Sequence, residues 1–509
     1  MFKLLDNWID KTTMYRVVLY EVIALLVCAL FAALFHAVPY APLAIIFSTA
    51  FILLVCWLSN AVSAWIFKVP KNVESIYITA LILTLIISPP TSPHDMAYFS
   101  LAVWASIWAA ASKYIFTYRH KHFFNPAAFA VALTAFTING AASWWVATPA
   151  LLIPALLGGW LIVKKIRRYD LMAGFFIASF ASLLGYALLR HLSPAPFLLK
   201  TLEATPIVFF ATVMLTEPLT SPPTKWLRVA YGAIVGFLFS PWLHLGALYS
   251  TPELALVLGN VFSFAVSPKQ KLILKLKSKV EEANQTTDFI FESDQPLAFK
   301  AGQYLEWTLE HPHPDARGNR RYFTIASAPT EKELHLGVKF QPNGSSFKKA
   351  LAAMKPGDTI AAAQLAGDFT LPRYSDQKIA FIAGGIGVTP FRSMIKDLVD
   401  TNDERSVILL YANKTPADIA YKKVFDEAEK KMNIQTVYVA TDPKAARPEW
   451  GGRIGALDER MIKQEIPDYL ERQFYLSGPH GMVTAFDKTL RQMGLPASNI
   501  KKDFFPGFA

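Results

Sequence analysis

Arg321-Tyr322-Phe323-Thr324-Ile325-Ala326-Ser327-Ala328-Pro329 decides how the rest of this chain is read. Its β-branched and aromatic residues suit a strand, and period-two alternation puts Arg321 and Phe323 on one face and Tyr322 and Thr324 on the other. A guanidinium on a strand face offers a planar fork of donors that never loses its charge, which suits a pyrophosphate. Downstream, Gly344-Ser345-Ser346-Phe347-Lys348-Lys349-Ala350-Leu351 reads as a turn entering a short helix. Free backbone N–H groups at such a start cradle phosphate, although Ser345 or Ser346 is equally well an N-cap.

Further along, Lys378-Ile379-Ala380-Phe381-Ile382-Ala383 is a continuous apolar strand leading into Gly384-Gly385-Ile386-Gly387-Val388-Thr389-Pro390. An amphipathic helix through Phe391, Met394, Ile395 and Leu398 follows. Glycines in a strand–turn–helix unit allow close approach of a pyrophosphate at the carboxyl end of a parallel sheet. Strands over 407–411 and 436–440 continue the α/β pattern, and Phe474-Tyr475-Leu476-Ser477-Gly478-Pro479-His480-Gly481-Met482 supplies a last strand and turn. On the N-terminal side of Arg321, residues 271–277 and 288–292 alternate as antiparallel strands, and Gly302-Gln303-Tyr304 precedes another; this predicts a small barrel.

The residues before 269 are of another kind. Over the 509 residues, 53% are apolar and 17% charged, too greasy for a soluble chain of this length. Apolar runs lie at about 17–36, 41–67, 74–88, 97–117, 125–139, 144–163, 170–190, 205–216, 227–246 and 253–266. They predict about ten spans, several of them shorter than the roughly 20 residues a full crossing needs. Lys and Arg then test the parity. With the N-terminus inside, the inner segments carry Lys3, Lys11, Arg16, Lys68, Lys71, Lys113, Arg119, Lys121, Lys164, Lys165, Arg167, Arg168, Lys225 and Arg228, against Arg190 and Lys200 outside. Both termini are therefore expected in the cytoplasm and the protein in the plasma membrane. The net charge of +11 follows from this bias and from solvated lysine faces, so nucleic acid is not an expected partner.

An internal echo divides the apolar half in two. Ile87-Ser88-Pro89-Pro90-Thr91-Ser92-Pro93 after the third run resembles Thr216-Glu217-Pro218-Leu219-Thr220-Ser221-Pro222-Pro223 after the eighth, and Asn125-Pro126-Ala127-Ala128-Phe129 pairs more weakly with Asn260-Val261-Phe262-Ser263-Phe264. Five runs per repeat would invert the second half, and matched helix breaks point to a site near the midplane. Pro-Pro that merely ends a helix at the interface is the equally weighted alternative.

Two resemblances follow from these motifs. Residues 17–266 resemble the family of integral-membrane components shared by the sodium-translocating NADH:quinone reductase and the Rnf complex, through Lys121-His122-Phe123-Phe124-Asn125-Pro126-Ala127-Ala128 and Met214-Leu215-Thr216-Glu217-Pro218-Leu219-Thr220-Ser221-Pro222. That resemblance implies ten helices in inverted repeats, flavin (FMN or riboflavin) in or beside the membrane, and electron transfer in multi-component complexes that can be coupled to ions. It also implies a covalent FMN on a Thr before Pro. The nearest match is Thr148, but the acidic residue and long preceding loop of that motif are absent, and a helix N-cap ahead of Pro149 explains the position.

Residues 269–509 resemble the ferredoxin-NADP reductase superfamily. This resemblance assigns Arg321 to the FAD pyrophosphate, Phe323 to packing on the isoalloxazine, Thr324 to a hydrogen bond near flavin N5, and Gly344, Ser345 and Ser346 to the diphosphate. It assigns Gly384, Gly385, Gly387, Thr389 and Pro390, with Gly478, Pro479 and Met482, to the nicotinamide dinucleotide. Tyr322 joins the cofactor-binding set, Ser477 stands where the family carries a Cys near the hydride-transferring carbon, and Phe508 is the terminal aromatic that covers the flavin.

Metal centres are not expected, since Cys28 and Cys56 both lie in apolar runs and the histidines fall at run ends or in loops. Glu21 and Glu217 are the acids in or beside apolar runs, and acids in hydrocarbon carry a presumption of function. The expected architecture is a polytopic α-helical membrane domain (1–268), an antiparallel β-barrel FAD domain (269–375) and an α/β NAD(P)-binding domain (376–509). The expected activity is an NAD(P)H oxidoreductase delivering electrons through FAD to quinone, a second flavin or a trans-bilayer carrier. A transporter or channel gated by the redox module is the alternative. NADH and NADPH stay open, because Lys414, Lys422 and Lys423 lie where a 2′-phosphate is read but are equally good solvated lysines.

Overall fold

The computed structural model describes every residue except 1–7, 10–11, 69–72, 119–120, 241, 247, 268–270, 313, 316–317, 343, 373, 375, 444–449 and 504–509; the side chains of 73, 74 and 121 are likewise not described. Phe508 and the expected boundary at 268–269 lie outside the described residues. The chain forms two compact units, one over the first 269 residues and one over Gln270–Phe508.

In the first unit each apolar run becomes a helix: Met14–Leu34, Pro42–Phe67, Val73–Ile86, Met96–Ile115, Pro126–Thr137, Pro149–Ile166, Tyr169–Leu189, Ile207–Met214, Lys225–Leu238 and Pro252–Val266. Pro at the first helical turn begins four of these and supplies the fixed φ that a helix start needs. Met14–Leu34, Pro42–Phe67, Pro149–Ile166 and Tyr169–Leu189 are long and apolar enough to cross a membrane. A further helix, Pro194–Ala204, has no buried residue and was not legible as an apolar run. It meets Ile207–Met214 at a bend of 70°, and that second piece passes into a π-helical turn at Phe210–Met214. The run expected over 227–246 stops as helix at Leu238, because Pro241 disfavours helix in the residue before it. Two small hairpins, β1/β2 (Thr117–Tyr118, Lys121–His122) and β3/β4 (His244–Leu245, Leu248–Tyr249), complete the unit.

The second unit holds two sheets. The first is antiparallel, built from β5 (Lys271–Ala283), β6 (Thr286–Ser293), β7 (Tyr304–Thr308), β8 (Arg320–Thr324), β9 (Leu334–Lys339) and β10 (Thr359–Ala366) in the order β8-β7-β10-β5-β6-β9. Its two edges meet just past β8, where Ala326 N–H donates to His335 C=O at 2.9 Å, so the sheet curls toward a barrel. Leu272, Leu274, Leu276, Phe289, Phe291, Trp307 and Phe347 fill it. Alternate burial along β5 and β6 is the period-two pattern of the sequence made three-dimensional.

The second sheet is parallel throughout, with β11 (Ile379–Gly384), β12 (Val407–Asn413), β13 (Ile434–Ala440), β14 (Arg453–Ile454), β15 (Gln473–Ser477) and β16 (Ile500–Lys502) in the order β14-β13-β12-β11-β15-β16. β11 and β12 are buried along their whole length, as expected of central strands covered on both faces. The helix Thr389–Thr401 joins the two sheets. Ser393 Oγ donates to Ser327 C=O at 2.6 Å and Arg392 Nη1 to Ala326 C=O at 3.1 Å. On the barrel side of this contact, Tyr421 reaches Asp288 at 3.1 Å, and Asp288 pairs with His335 at 2.6 Å.

Candidate functional site

β11 and β15 are neighbours, with the chain after them leaving in opposite strand-order directions, and this switch point is where open parallel sheets bind nucleotides. Three glycines shape the turn after β11, each differently. A Cβ on Gly384 would lie 2.3 Å from the Met482 sulfur, and one on Gly387 would lie 2.5 Å from both N and Cα of Gly478. Gly385 has φ of +55° and nothing within 4 Å of the Cβ position, so the space beside it is open. Thr389 starts the following helix with Pro390 in its first turn; its hydroxyl donates to Ile386 C=O at 3.3 Å and its methyl lies against Gly337 of β9.

Across the crevice, Ser477 ends β15 fully buried and donates to Asp503 Oδ2 at 3.0 Å. Pro479 N-terminally flanks the helix His480–Gln492, from which Met482 packs back onto Gly384 and Gly478. Close backbone approach of Gly387 to Gly478 thus brings the turns after β11 and β15 together.

On β8 the expected alternation holds. Arg321 lies over the Phe347 ring at 5.2 Å and Phe323 packs on the same ring at 6.0 Å. On the opposite face Tyr322 donates to Glu306 at 2.8 Å and meets Tyr304 edge-on. Thr324 is buried opposite Tyr304 in the β7 ladder. Arg321 is itself buried, donating to the carbonyls of Gly318 and Arg320, with Asp315 at 3.6 Å.

Ser345 is the N-cap of the helix Ser346–Ala353, accepting from Lys348 N–H at 3.3 Å. Ser346 is used otherwise: its N–H donates to Asp315 Oδ2 at 3.0 Å, and its hydroxyl accepts from Asp315 N–H and contacts His311. A Cβ on Gly344 would lie 3.3 Å from the Gln341 carbonyl oxygen, a tight approach that a small backbone shift relieves. The Asp315 carboxylate therefore lies between a buried guanidinium and a helix start. The same donors thus already accommodate an in-chain anion, as a diphosphate would require. Asp315, His311 and Asp503 were not legible in sequence, since loops bring them in without a spacing signal.

Arg392 and Glu331 form a two-pronged pair, with Glu331 also accepting from Ala328 N–H. Burial raises the Glu331 carboxyl, but the hydrogen bonds and charge of Arg392 outweigh it and hold Glu331 below the usual carboxylate range.

A second polar cluster sits in the first unit. Glu217, at the helix break, accepts from Asn125 Nδ2 at 2.9 Å and Thr220 Oγ1 at 3.2 Å, with His122 Nε2 at 3.5 Å. Asn125 N–H donates to Asn260 Oδ1 at 2.7 Å, and Asn260 Nδ2 donates to the Tyr231 hydroxyl at 3.0 Å. The two asparagines of the weaker sequence echo therefore touch, which the echo alone did not predict.

Thr148 occupies the N-cap position of Pro149–Ile166, but the capping bond expected from sequence is not made. Its backbone carbonyl accepts from Leu151 N–H at 2.9 Å in place of the hydroxyl, and Oγ1 is buried without a hydrogen-bond partner. Among the described residues no group of three or more His, Cys, Asp or Glu is placed to hold a metal ion.

Comparison with known proteins bears on the second unit. The oxidoreductase NAD-binding domain family matches residues 381–488, which span the whole crevice from β11 to the helix after β15. The glycine betaine monooxygenase reductase subunit from Chromohalobacter salexigens is 27% identical over 44% of this chain and 62% of its own length. The flavohemoprotein of Bacillus subtilis is 26% identical over 45% of this chain and 58% of its own. The flavohem-like FAD/NAD-binding domain of nitric oxide dioxygenase from Vibrio cholerae superposes with a TM-score of 0.41 at 19% identity, covering 46% of this chain and 97% of that one. The chain thus spans about 60% of the length of these curated relatives. Its C-terminal half therefore carries an oxidoreductase NAD-binding domain over residues 381–488 and is similar to reductase subunits and flavohemoproteins.

Proposed function

We propose that the chain is a membrane-bound NAD(P)H dehydrogenase whose second unit takes hydride from the nicotinamide and whose first unit, lying in the plasma membrane with the module on the cytoplasmic side, delivers the electrons to an acceptor. The observation that carries it is the joining of the two expected cofactor sites: Arg392 and Ser393, on the helix opened by Gly384–Pro390, hydrogen-bond Ala326 and Ser327 of the stretch that begins at Arg321. Such stitching fixes donor and acceptor sites in one frame, which is most of what a protein contributes to hydride transfer.

Arg321 and the Ser346 N–H would hold the FAD diphosphate, Phe323 would pack on the ring, Tyr322 would contribute to the cofactor site from the opposite strand face, and Thr324 would face the reactive edge of the flavin. The space open at Gly385, between Thr389, Pro390, Gly478 and Pro479, would take the nicotinamide dinucleotide. FAD, when bound, accepts hydride and releases electrons one or two at a time. Ser477 would orient rather than react, its hydroxyl tied to Asp503, and Phe508 would cover the flavin face.

In the first unit, the node of Glu217, Asn125, Asn260 and His122 supports an electron or proton role at the helix break, and a second flavin (FMN or riboflavin) is the conduit this reading favours, with quinone or another carrier beyond it. Partner proteins in a larger complex belong to the same reading. Covalent attachment at Thr148 would need its hydroxyl brought out of the burial described above.

The experiment uses full-length protein in detergent. Flavin released by acid is separated into FAD and FMN, and anaerobic mixing with NADH or NADPH is followed by flavin absorbance. Bleaching of one FAD per chain is expected; bound FAD that neither nucleotide bleaches refutes the dehydrogenase reading. Any further flavin beyond that FAD marks the first unit as a conduit.

A further inference from the structure

Glu21 lies on Met14–Leu34, seven residues from the helix start, which at about 1.5 Å per residue places it roughly 10 Å along the axis. The residue is only 8% exposed, and Oε1 has no hydrogen-bond partner. Gly158 on Pro149–Ile166 makes room for it: a Cβ there would fall 1.3 Å from Glu21 Oε2. The next residue, Gly159, makes the same kind of notch for Thr212 of the π-helical turn, whose hydroxyl is turned back to Val208 C=O. The carboxyl therefore occupies a glycine notch beside an irregular helical turn, and π-helical turns concentrate at functional positions.

Among the described residues no charged group pairs with Glu21. Of the groups on elements packed against its helix, Lys165 is spent on Ile9 C=O, Lys164 lies over Trp160, Cys56 contacts Ser106 C=O and Tyr77 is exposed. None of these pairs with Glu21, and the described residues give it no ion pair. A carboxyl away from water and without an ion pair is accommodated far better with a proton or a cation bound than as a bare carboxylate.

We propose that Glu21 is an exchangeable proton-binding site of the first unit, filled in the described state and emptied only when the notch between Gly158 and the turn at Phe210–Met214 opens to water or to a cation. The inference rests on residues 1–268 lying in a bilayer, not on the flavin assignments.

The test uses full-length protein reconstituted in phosphatidylcholine vesicles and recovered by flotation. It is treated with apolar dicyclohexylcarbodiimide or with a water-soluble carbodiimide across pH 5–9, and modified carboxyls are located by peptide mass spectrometry. The expected result is a Glu21 adduct with the apolar reagent alone, declining as pH rises, while exposed carboxyls such as Glu427 and Glu459 react with the soluble reagent. Gly158→Ala, whose methyl takes the position of the carboxyl, should shift the pH at which the adduct is lost by a unit or more. Glu21 that floats with the vesicles yet stays unmodified, or that reacts equally with both reagents, overturns the proton site alone. Failure to float overturns the bilayer reading and this proposal with it. Because the wild-type adduct is the primary readout, the test stands even where Gly158→Ala does not fold.

Discussion

Gly387→Ala tests the crevice at its tightest point. The added Cβ would sit 2.5 Å from N and Cα of Gly478 and 2.7 Å from the Ser477 carbonyl carbon, against an ordinary contact of 3.4–4 Å. All three neighbours are backbone, so relief means moving the turn after β11 away from the end of β15 by about 0.9 Å. Overpacking of this kind costs about 1–3 kcal/mol, which for a unit of this size lowers the melting midpoint by roughly 2–10 °C. The larger effect is kinetic: a displacement near 1 Å between oriented groups costs on the order of 100-fold in rate. Stopped-flow reduction of the bound flavin by saturating NADH or NADPH should therefore slow about 100-fold, with flavin content retained, since Arg321 and Phe347 are far along the chain from the change. Gly451→Ala, with nothing within 4 Å of its Cβ position, is the control and should behave as wild type. A Gly387→Ala protein that reduces its flavin at the wild-type rate and melts at the wild-type temperature would refute the claim that contact between the two turns positions the nucleotide.

Arg321→Lys keeps the charge but removes the fork and its packing on Phe347; loss of charge-assisted hydrogen bonds worth about 1.5–3 kcal/mol should weaken FAD retention about 10- to 100-fold in equilibrium titrations, and unchanged affinity would clear Arg321 of a diphosphate role. Glu331 is held below its ordinary value of 4.5, so the stability it supplies is present above that pH and is lost as pH falls through its lower folded value. Glu331→Gln should cost about 2 kcal/mol near neutrality, after allowance for partial exposure, and flatten the acid limb of the denaturation profile, which an unchanged limb would contradict. Glu217→Gln should slow acceptor turnover about 100-fold while leaving NAD(P)H-driven flavin reduction intact, and unaltered acceptor turnover would remove Glu217 from the path.

What the sequence disclosed was local. β8, β11 and the glycine turn were legible because strand alternation and turn chemistry act over a few residues, and the apolar runs located each of the helices that replaced them. The helix Pro194–Ala204 escaped because nothing on it is buried, leaving no apolar stripe to detect. Asp315 beside Arg321, Asp503 under Ser477 and the Arg392–Glu331 pair escaped for another reason. Each depends on residues 6 to 61 positions apart meeting through tertiary packing, and no periodicity encodes that. Ser345 and Ser346 looked interchangeable in sequence; the structure separates them, one closing the helix start and the other engaging Asp315.

The contact between Asn125 and Asn260 has a mechanical consequence. One sequence repeat offers a main-chain N–H, the other a side-chain amide oxygen, both on buried residues, and the same two residues tether Glu217 on one side and Tyr231 on the other. A rocker-switch motion, in which one repeat tilts against the other, would have to part this pin and strand a buried donor, at about 1–3 kcal/mol for that bond alone. The pin opposes large swings of Pro126–Thr137 against Pro252–Val266 and tolerates small, fixed separations.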